Sequence, residues 1–127
     1  MNTINIQAFV NDYLHTASWV TCDSNENTEF KKKAITAATN DCLEFIKQVK
    51  NRFGDKKAVE LLTIAANDFT YFAPHDFYLT RNGHGAGFWD KENVYGIKES
   101  AILTKIAQKQ GESNAYHSKG KKSKLIF

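Results

Sequence analysis

The hydrophobic pattern of this 127-residue chain changes at its only proline, Pro74. Before Pro74, apolar residues recur at steps of three and four, which places them on one face of an α-helix. Proline cannot continue a helix, and it favours an extended conformation for the preceding Ala73. The pattern after it alternates, as in a half-buried strand. The chain is therefore predicted to be helical before residue 74 and to contain strands after it.

Three amphipathic helices are predicted before Pro74, with a polar loop over residues 21–27 between the first two. Gly54 is predicted to end the second helix, because glycine readily adopts the left-handed conformation found after helix ends. Asp55 is predicted to cap the third helix. Trp19 is expected to cover the core beside the first helix. The predicted spans are 4–18, 28–53 and 55 to about 72.

The strongest hairpin signal after Pro74 is the pair Asn82-Gly83, since both residues tolerate the positive φ of a two-residue turn. It lies between the β-rich runs 77–80 and 86–89. In the resulting register, directly opposed residues share a face of the hairpin. The predicted core face carries Phe77, Leu79, Ala86 and Phe88. The predicted solvent face carries Asp76, Tyr78, Thr80, Gly85, Gly87 and Trp89.

A fourth helix is predicted over Ile97–Gln110, with Gly111 as its end. Asn114–Ser118 and Lys124–Phe127 are predicted to form a second hairpin around a turn at 119–123. The predicted fold class is thus α+β, with N-terminal helices and a β-hairpin–α–β-hairpin unit that forms a small antiparallel sheet. No linker or repeat divides the chain, so residues 1–127 are predicted to be a single domain.

The predicted solvent face is the candidate partner-binding surface. Glycine packs nothing in a strand, so Gly85 and Gly87 indicate either a shallow groove where a partner approaches the backbone or a bulge that accommodates Tyr78. Both interpretations remain open at this stage. The candidate contact residues are Asp76, Tyr78, Thr80, Arg81, Asn82, His84, Gly85, Gly87, Trp89 and Asp90.

The same segment contains residue types that bind metals or exchange protons: His75, Asp76, His84 and Asp90. Their spacing matches no dense ligand pattern such as His-x-x-x-His, and neither cysteine lies near them. The glycines at 83, 85 and 87 lack the spacing of a phosphate-binding loop. No catalytic residue, metal site or cofactor is therefore assigned.

The net charge of +3 is unevenly distributed. Residues 1–73 carry eight basic and nine acidic side chains, whereas residues 74–127 carry nine and five. Four lysines near the C-terminus indicate either an anionic partner or a charged tip that maintains solubility. These are Lys119, Lys121, Lys122 and Lys124.

Cys22 and Cys42 are expected to remain reduced, because no signal-peptide pattern places the chain in an oxidising compartment. No apolar stretch approaches the ~20 residues of a membrane span, so no membrane partner is expected.

The run from Asp76 to Asp90, DFYLTRNGHGAGFWD, resembles a motif of a family of small, mostly uncharacterised bacteriophage proteins. In that family an aspartate–aromatic pair leads into LTRNGHGAGFWD. Looser similarity extends to Trp19, to the Asp41–Phe45 step and to the closing helix and hairpin, whereas the basic hairpin tip departs from the family. The resemblance implies a phage origin, action in the cytoplasm of an infected bacterium, and a role in binding and blocking a host component.

Three functions are consistent with these features. The favoured one is a non-enzymatic module that inhibits or modulates a host protein, such as a defence protein. One alternative is nucleic-acid binding through the basic C-terminal half. The other is a small metal-dependent hydrolase or nuclease that uses Asp76, His84 and Asp90. The sequence does not fix the oligomeric state.

Overall fold

The computed structural model describes residues 3–21, 32–67, 70–117 and 125–127. Within these ranges the chain is predominantly helical, with six α-helices and one short 3-10 turn at Phe88–Asp90. The helices are α1 (Ile6–Thr21), α2 (Lys32–Phe53), α3 (Asp55–Leu62), α4 (Phe72–Arg81), α5 (Glu92–Tyr95) and α6 (Ile97–Gln110).

The predicted α+β class is wrong, because the first hairpin and the four-stranded sheet do not form. The only strand pairing in the described ranges joins β1 (Tyr116–His117) to β2 (Leu125–Ile126), antiparallel, with Tyr116 opposite Ile126. Two residues per strand are too few to build a sheet that helices could cover. The residues of the predicted turn, 119–123, lie outside the described ranges.

The core forms where the apolar stripes of α1, α2, α4 and α6 meet. Phe45 of α2 stacks on Phe77 of α4, with ring centroids 4.1 Å apart and planes 12° from parallel. Phe88 also stacks on Phe45, with ring centroids 5.7 Å apart. All three rings are fully buried, and burial of each phenylalanine contributes about 2–3 kcal/mol.

Helix α4 replaces the first strand of the predicted hairpin. Tyr71 precedes it with extended backbone angles, and Pro74 lies within its first turn. A proline is tolerated there because the amides of the first turn have no partner within the helix. Phe77 and Tyr78, assigned to opposite hairpin faces, are both fully buried. A helix that is enclosed on nearly all sides, with only Phe72 and His75 part-exposed, shows no alternation between a solvent face and a core face.

Asn82-Gly83 ends this helix rather than forming a hairpin turn. The His84 amide donates to the Leu79 carbonyl at 3.0 Å, and the Gly83 amide donates to the Thr80 carbonyl at 3.3 Å. These two bonds define a Schellman motif, which requires positive φ only at the glycine. Gly83 has φ 70°, whereas Asn82 has φ −98°.

Other helix ends agree with the sequence to different degrees. The prediction for α6 is confirmed at both ends, and Gly111 follows it with φ 87°. Gly54, with φ 85°, follows α2 as predicted. Helix α1 continues beyond residue 18 to Thr21, and α3 stops at Leu62 rather than near residue 72. No helix in the described part of the chain is both long enough and apolar enough to cross a bilayer.

Candidate functional site

Most of the predicted contact residues are enclosed, so they do not form the solvent face that was predicted. Enclosed side chains cannot touch a partner in this conformation. His84 is half-buried, and Gly85, Trp89 and Asp90 are exposed. The buried members are Asp76, Tyr78, Thr80, Arg81, Asn82 and Gly87.

Arg81 joins four parts of the fold. Its Nη1 donates to Asp41 Oδ2 at 2.7 Å and to the Tyr13 hydroxyl at 3.2 Å, while its Nε donates to the Gly111 carbonyl at 2.7 Å. The guanidinium carbon also lies 5.2 Å from the centre of the Phe77 ring. With a side chain only 4% exposed, Arg81 is a buried cation with an ionic partner and three hydrogen bonds, and such pairing is the condition under which burial of a charge is tolerated.

Asp76 is the second buried charge in this segment. Its two carboxylate oxygens accept from Lys91 Nζ at 2.6 Å and from the Tyr95 hydroxyl at 2.7 Å. Burial raises the pKa of Asp76 above its ordinary value, although both hydrogen bonds oppose that shift. Lys91 also lies 4.0 Å from Asp90, whose Oδ1 accepts from the Gly87 amide. Asp76 therefore fixes the 3-10 turn and α5 against α4.

Gly87 is required by a close approach of two chain segments. Thr80 Oγ1 accepts from the Phe88 amide at 2.9 Å, and a Cβ on Gly87 would collide with that hydroxyl. The glycine thus makes room for Thr80, not for Tyr78. Gly85 is different, because the space around it is open.

Two tryptophans remain exposed at the surface. Trp89 is 49% exposed and Trp19 is 66% exposed, so the expectation that Trp19 covers the core is wrong. Trp19 lies beside His75 of α4, with ring centroids 6.1 Å apart. Three further α1 residues, Asp12, His15 and Thr16, share its side of the helix at positions seven, four and three residues earlier. We call these five residues the Trp19 face.

The hydrogen bonds around Thr16 fix the protonation of His75. Thr16 Oγ1 lies 3.0 Å from the Asp12 carbonyl oxygen and 3.0 Å from His75 Nδ1. A hydroxyl has one proton, and the carbonyl can only accept, so Thr16 donates to Asp12 and accepts from Nδ1–H. Burial lowers the pKa of His75, which keeps the ring neutral at neutral pH. Its lone pair is therefore on Nε2, for which the described residues supply no donor.

Asp12 contributes the negative charge of this face. Its Oδ2 accepts from the Tyr71 amide at 3.3 Å, at the start of α4. Partial burial raises the pKa of Asp12, while that bond and the nearby His15 oppose the rise. None of the ion pairs between described residues involves Asp12. The face thus presents a carboxylate, an imidazole lone pair and an indole ring.

The residues of the hydrolase hypothesis do not converge. Asp76 and Asp90 both border Lys91, but His84 stacks on Tyr78 and makes no hydrogen bond to either carboxylate. Across residues 3–21, 32–67, 70–117 and 125–127, no three His, Cys, Asp or Glu side chains group closely enough to hold a metal. These three side chains thus form no metal-binding group among the described residues, and the hydrolase hypothesis stays a prediction.

The four lysines of the nucleic-acid hypothesis, Lys119, Lys121, Lys122 and Lys124, lie outside the described residues. Elsewhere, Arg52, Lys105 and Lys109 border an open groove of about 710 Å³ between α2 and α6. No aromatic side chain is among the described residues that line it, so it offers no platform for base stacking. Nucleic-acid binding stays a prediction.

No family model, curated protein or solved structure matches this chain. Two residues of the looser similarity, Asp41 and Phe45, contact the segment Asp76–Asp90. Asp41 pairs with Arg81, and Phe45 stacks on Phe77. Asp41 and Phe45 thus contact two buried residues of the motif.

The sequence did not predict that His75, Asp12 and Thr16 lie on one surface. Their common signal is the stripe Asp12, Thr16 and Trp19, which places polar and aromatic side chains at helical spacing beside the apolar stripe of α1. His75 could not be added to it while residues 76–89 were interpreted as a hairpin.

Proposed function

We propose that this protein is a non-enzymatic binding module that recognises a host protein in the cytoplasm of a phage-infected bacterium. The supporting observation is the exposure of Trp19 and Trp89 beside an interior held by buried ion pairs. The phage origin and the cellular compartment come from the resemblance of Asp76–Asp90 to the phage motif.

Tryptophan is the residue type that most often dominates the energy of a protein interface, because it buries a large area at low entropic cost. Trp89 lies within the 3-10 turn that Asp90 and Lys91 hold in place. A side chain on a rigid support loses less freedom when a partner covers it. Of the predicted contact residues, the exposed Gly85, Trp89 and Asp90 keep that role in this proposal, and Trp19 joins them.

The test is capture of a partner from host lysate by the tagged protein with cross-linking, followed by titration of the purified partner. Trp19→Ala and Trp89→Ala are compared with Ile97→Ala, a matched loss of an exposed apolar side chain at the start of α6 that is 73% exposed. We expect at least one tryptophan variant to weaken binding by about tenfold or more, and Ile97→Ala to change it by less than about twofold.

Circular dichroism of each variant provides the control, because truncation of an exposed side chain should leave the helical signal unchanged. Equal capture by wild type and both tryptophan variants would contradict the proposal, as would the absence of any cross-linked partner.

A further inference from the structure

The Trp19 face is rich in groups that attract a cation. Asp12 carries a negative charge without a basic partner among the described residues, and His75 presents the lone pair of Nε2. The indole of Trp19 exposes a π-face, which is the aromatic surface that binds cations best. All three groups favour a positively charged hydrogen-bond donor.

Lys91 does not occupy this face. Lys91 is close enough to His75 to affect its pKa, but its ammonium is held 2.6 Å from the buried carboxylate of Asp76. Release of Lys91 would leave that carboxylate buried without its partner, which is costly. Lys91 therefore does not satisfy the acceptors of the Trp19 face, and they can bind a cation of another molecule.

We infer that the Trp19 face binds an arginine side chain of the partner protein, with the guanidinium over Trp19 and an N–H group donating to His75 Nε2, while the carboxylate of Asp12 on the same side of α1 attracts its positive charge. A guanidinium is planar, stacks on aromatic rings and offers several donors in one plane. An ammonium can satisfy the charge but cannot stack in this way. The inference rests on the proposed function only for the statement that the arginine belongs to a protein.

The binding should depend on pH through His75. The charged and titratable groups that act on its ring are Asp76 on α4, Lys91 in the segment before α5, and His15 on α1, while Asp12 lies one turn before Thr16 on α1 and interacts with His15. Protonation of His75 replaces the Nε2 lone pair with a donor and adds a positive charge. Acidification should therefore weaken the binding of a cation.

The experiment uses the full ¹⁵N-labelled chain and the capped peptide acetyl-Gly-Arg-Gly-amide. The two indole N–H signals are followed during titration, so that Trp89 acts as the reference within the same molecule. We expect the Trp19 signal to shift and saturate while the Trp89 signal stays constant. A shift of Trp89 alone, or of neither signal, would overturn the inference.

Two matched probes separate charge from shape. The citrulline peptide has nearly the same shape without the charge, and tetramethylammonium has the charge without N–H donors. We expect both to bind at least about fivefold more weakly than the arginine peptide. Citrulline binding of equal strength would show that charge is not recognised, and stronger tetramethylammonium binding would assign the face to a quaternary ammonium instead.

Variants of the face test the two acceptors. Asp12→Asn keeps an acceptor for the Tyr71 amide but removes the charge, and His75→Phe keeps a ring but removes Nε2. We expect each to weaken the arginine peptide by about threefold or more, whereas Glu60→Gln on the exposed side of α3 should leave it unchanged. Unchanged affinity of the arginine peptide for both Asp12→Asn and His75→Phe would overturn the inference.

Failure of the inference and failure of the proposed function give different results. If a host protein is captured through the tryptophans but the arginine peptide leaves the Trp19 signal unmoved, only the inference fails. If the peptide binds at the Trp19 face but no host protein is captured, the arginine site stands and the proposed function fails.

Discussion

The polar residues of the His75–Asp90 segment show how interior chemistry can resemble a functional site in sequence. Most buried polar groups have a partner. The partners of Asn82 and Tyr78 lie across the fold, whereas His84 Nε2 is buried without one among the described residues. Asn82 accepts from the Ser113 amide and donates to the Ser113 carbonyl. The Tyr78 hydroxyl accepts from the Ala115 amide. The unusual composition of this segment therefore reflects the polar contacts of the protein interior as much as the residues exposed at its surface.

Gly87 offers a test of this interpretation at a single residue. It has φ 152°, and a Cβ there would collide with the Thr80 hydroxyl that accepts from Phe88. Gly87→Ala should lower the free energy of unfolding by about 3 kcal/mol, because both strain and a lost hydrogen bond result. Urea denaturation followed by circular dichroism measures this change.

Gly85→Ala is the matched control for Gly87→Ala. The two glycines are two residues apart, but Gly85 has open space where its Cβ would lie. We expect the control to change stability by less than about 0.5 kcal/mol. Equal losses at both positions would show that the contact with Thr80 is not what requires glycine at position 87.

At the scale of elements, the sequence predicted those helices whose ends are marked by one unambiguous signal. Gly111 ends α6 and Gly54 follows α2, each with positive φ, as their positions after apolar stripes indicated. Asn82-Gly83 and Pro74 are ambiguous signals, since each is found both at the ends of helices and at the boundaries of strands. Phe77 and Arg81 pack against α1 and α2, and these contacts favour the helix. Because the contacts join residues far apart in the sequence, the local pattern does not show them.

The candidate surface was predictable only in part for the same reason. The hairpin register predicts that Trp89 is exposed. Trp89 is exposed, but because it lies in the 3-10 turn and not in a strand. The Trp19 face needs α4 to be a helix, because only then does His75 lie against Thr16. The wrong assignment of α4 as part of a hairpin therefore prevented the prediction of the Trp19 face.

The ion pair between Asp76 and Lys91 links α4 to the segment before α5, and it predicts a pH-dependent variant. Lys91→Met leaves Asp76 buried with one hydrogen bond fewer, so stability at neutral pH should fall by about 3 kcal/mol. Loss of the lysine raises the pKa of Asp76 further above its ordinary value. The folded variant then binds a proton more tightly than its unfolded chain.

It follows that acidification should reduce the deficit of Lys91→Met relative to wild type. Urea unfolding of both proteins is measured between about pH 7 and pH 4.5. In this range Asp76 takes up a proton in the folded variant, whereas the same side chain in the unfolded chain is still mostly ionised. Lys105→Met, at an exposed lysine of α6, is the control and should show a small and constant difference. A Lys91→Met deficit that grows on acidification would contradict the role assigned to Asp76.

For the molecule as a whole, the buried contacts of Arg81 explain why the helices should unfold together. One side chain touches α1 through Tyr13, α2 through Asp41 and the end of α6 through Gly111. The apolar residues of α1, α2, α3, α4 and α6 also belong to one continuous cluster. Partial opening of any helix would expose part of this cluster and break buried polar bonds. Cooperative unfolding is the expected consequence.

Cys42 can report on this cooperativity, because it lies fully buried on α2 and burial raises the pKa of its thiol. In a Cys22→Ser background, a maleimide should label Cys42 at least about a thousandfold more slowly than an exposed thiol. Leu43→Cys with Cys42→Ser supplies that exposed thiol one residue away on the same helix. The labelling of Cys42 should rise with urea in step with the loss of helical signal. If Cys42 reacts well before that loss, α2 opens separately from the rest of the core, and the contacts of Arg81 do not hold the helices as one unit.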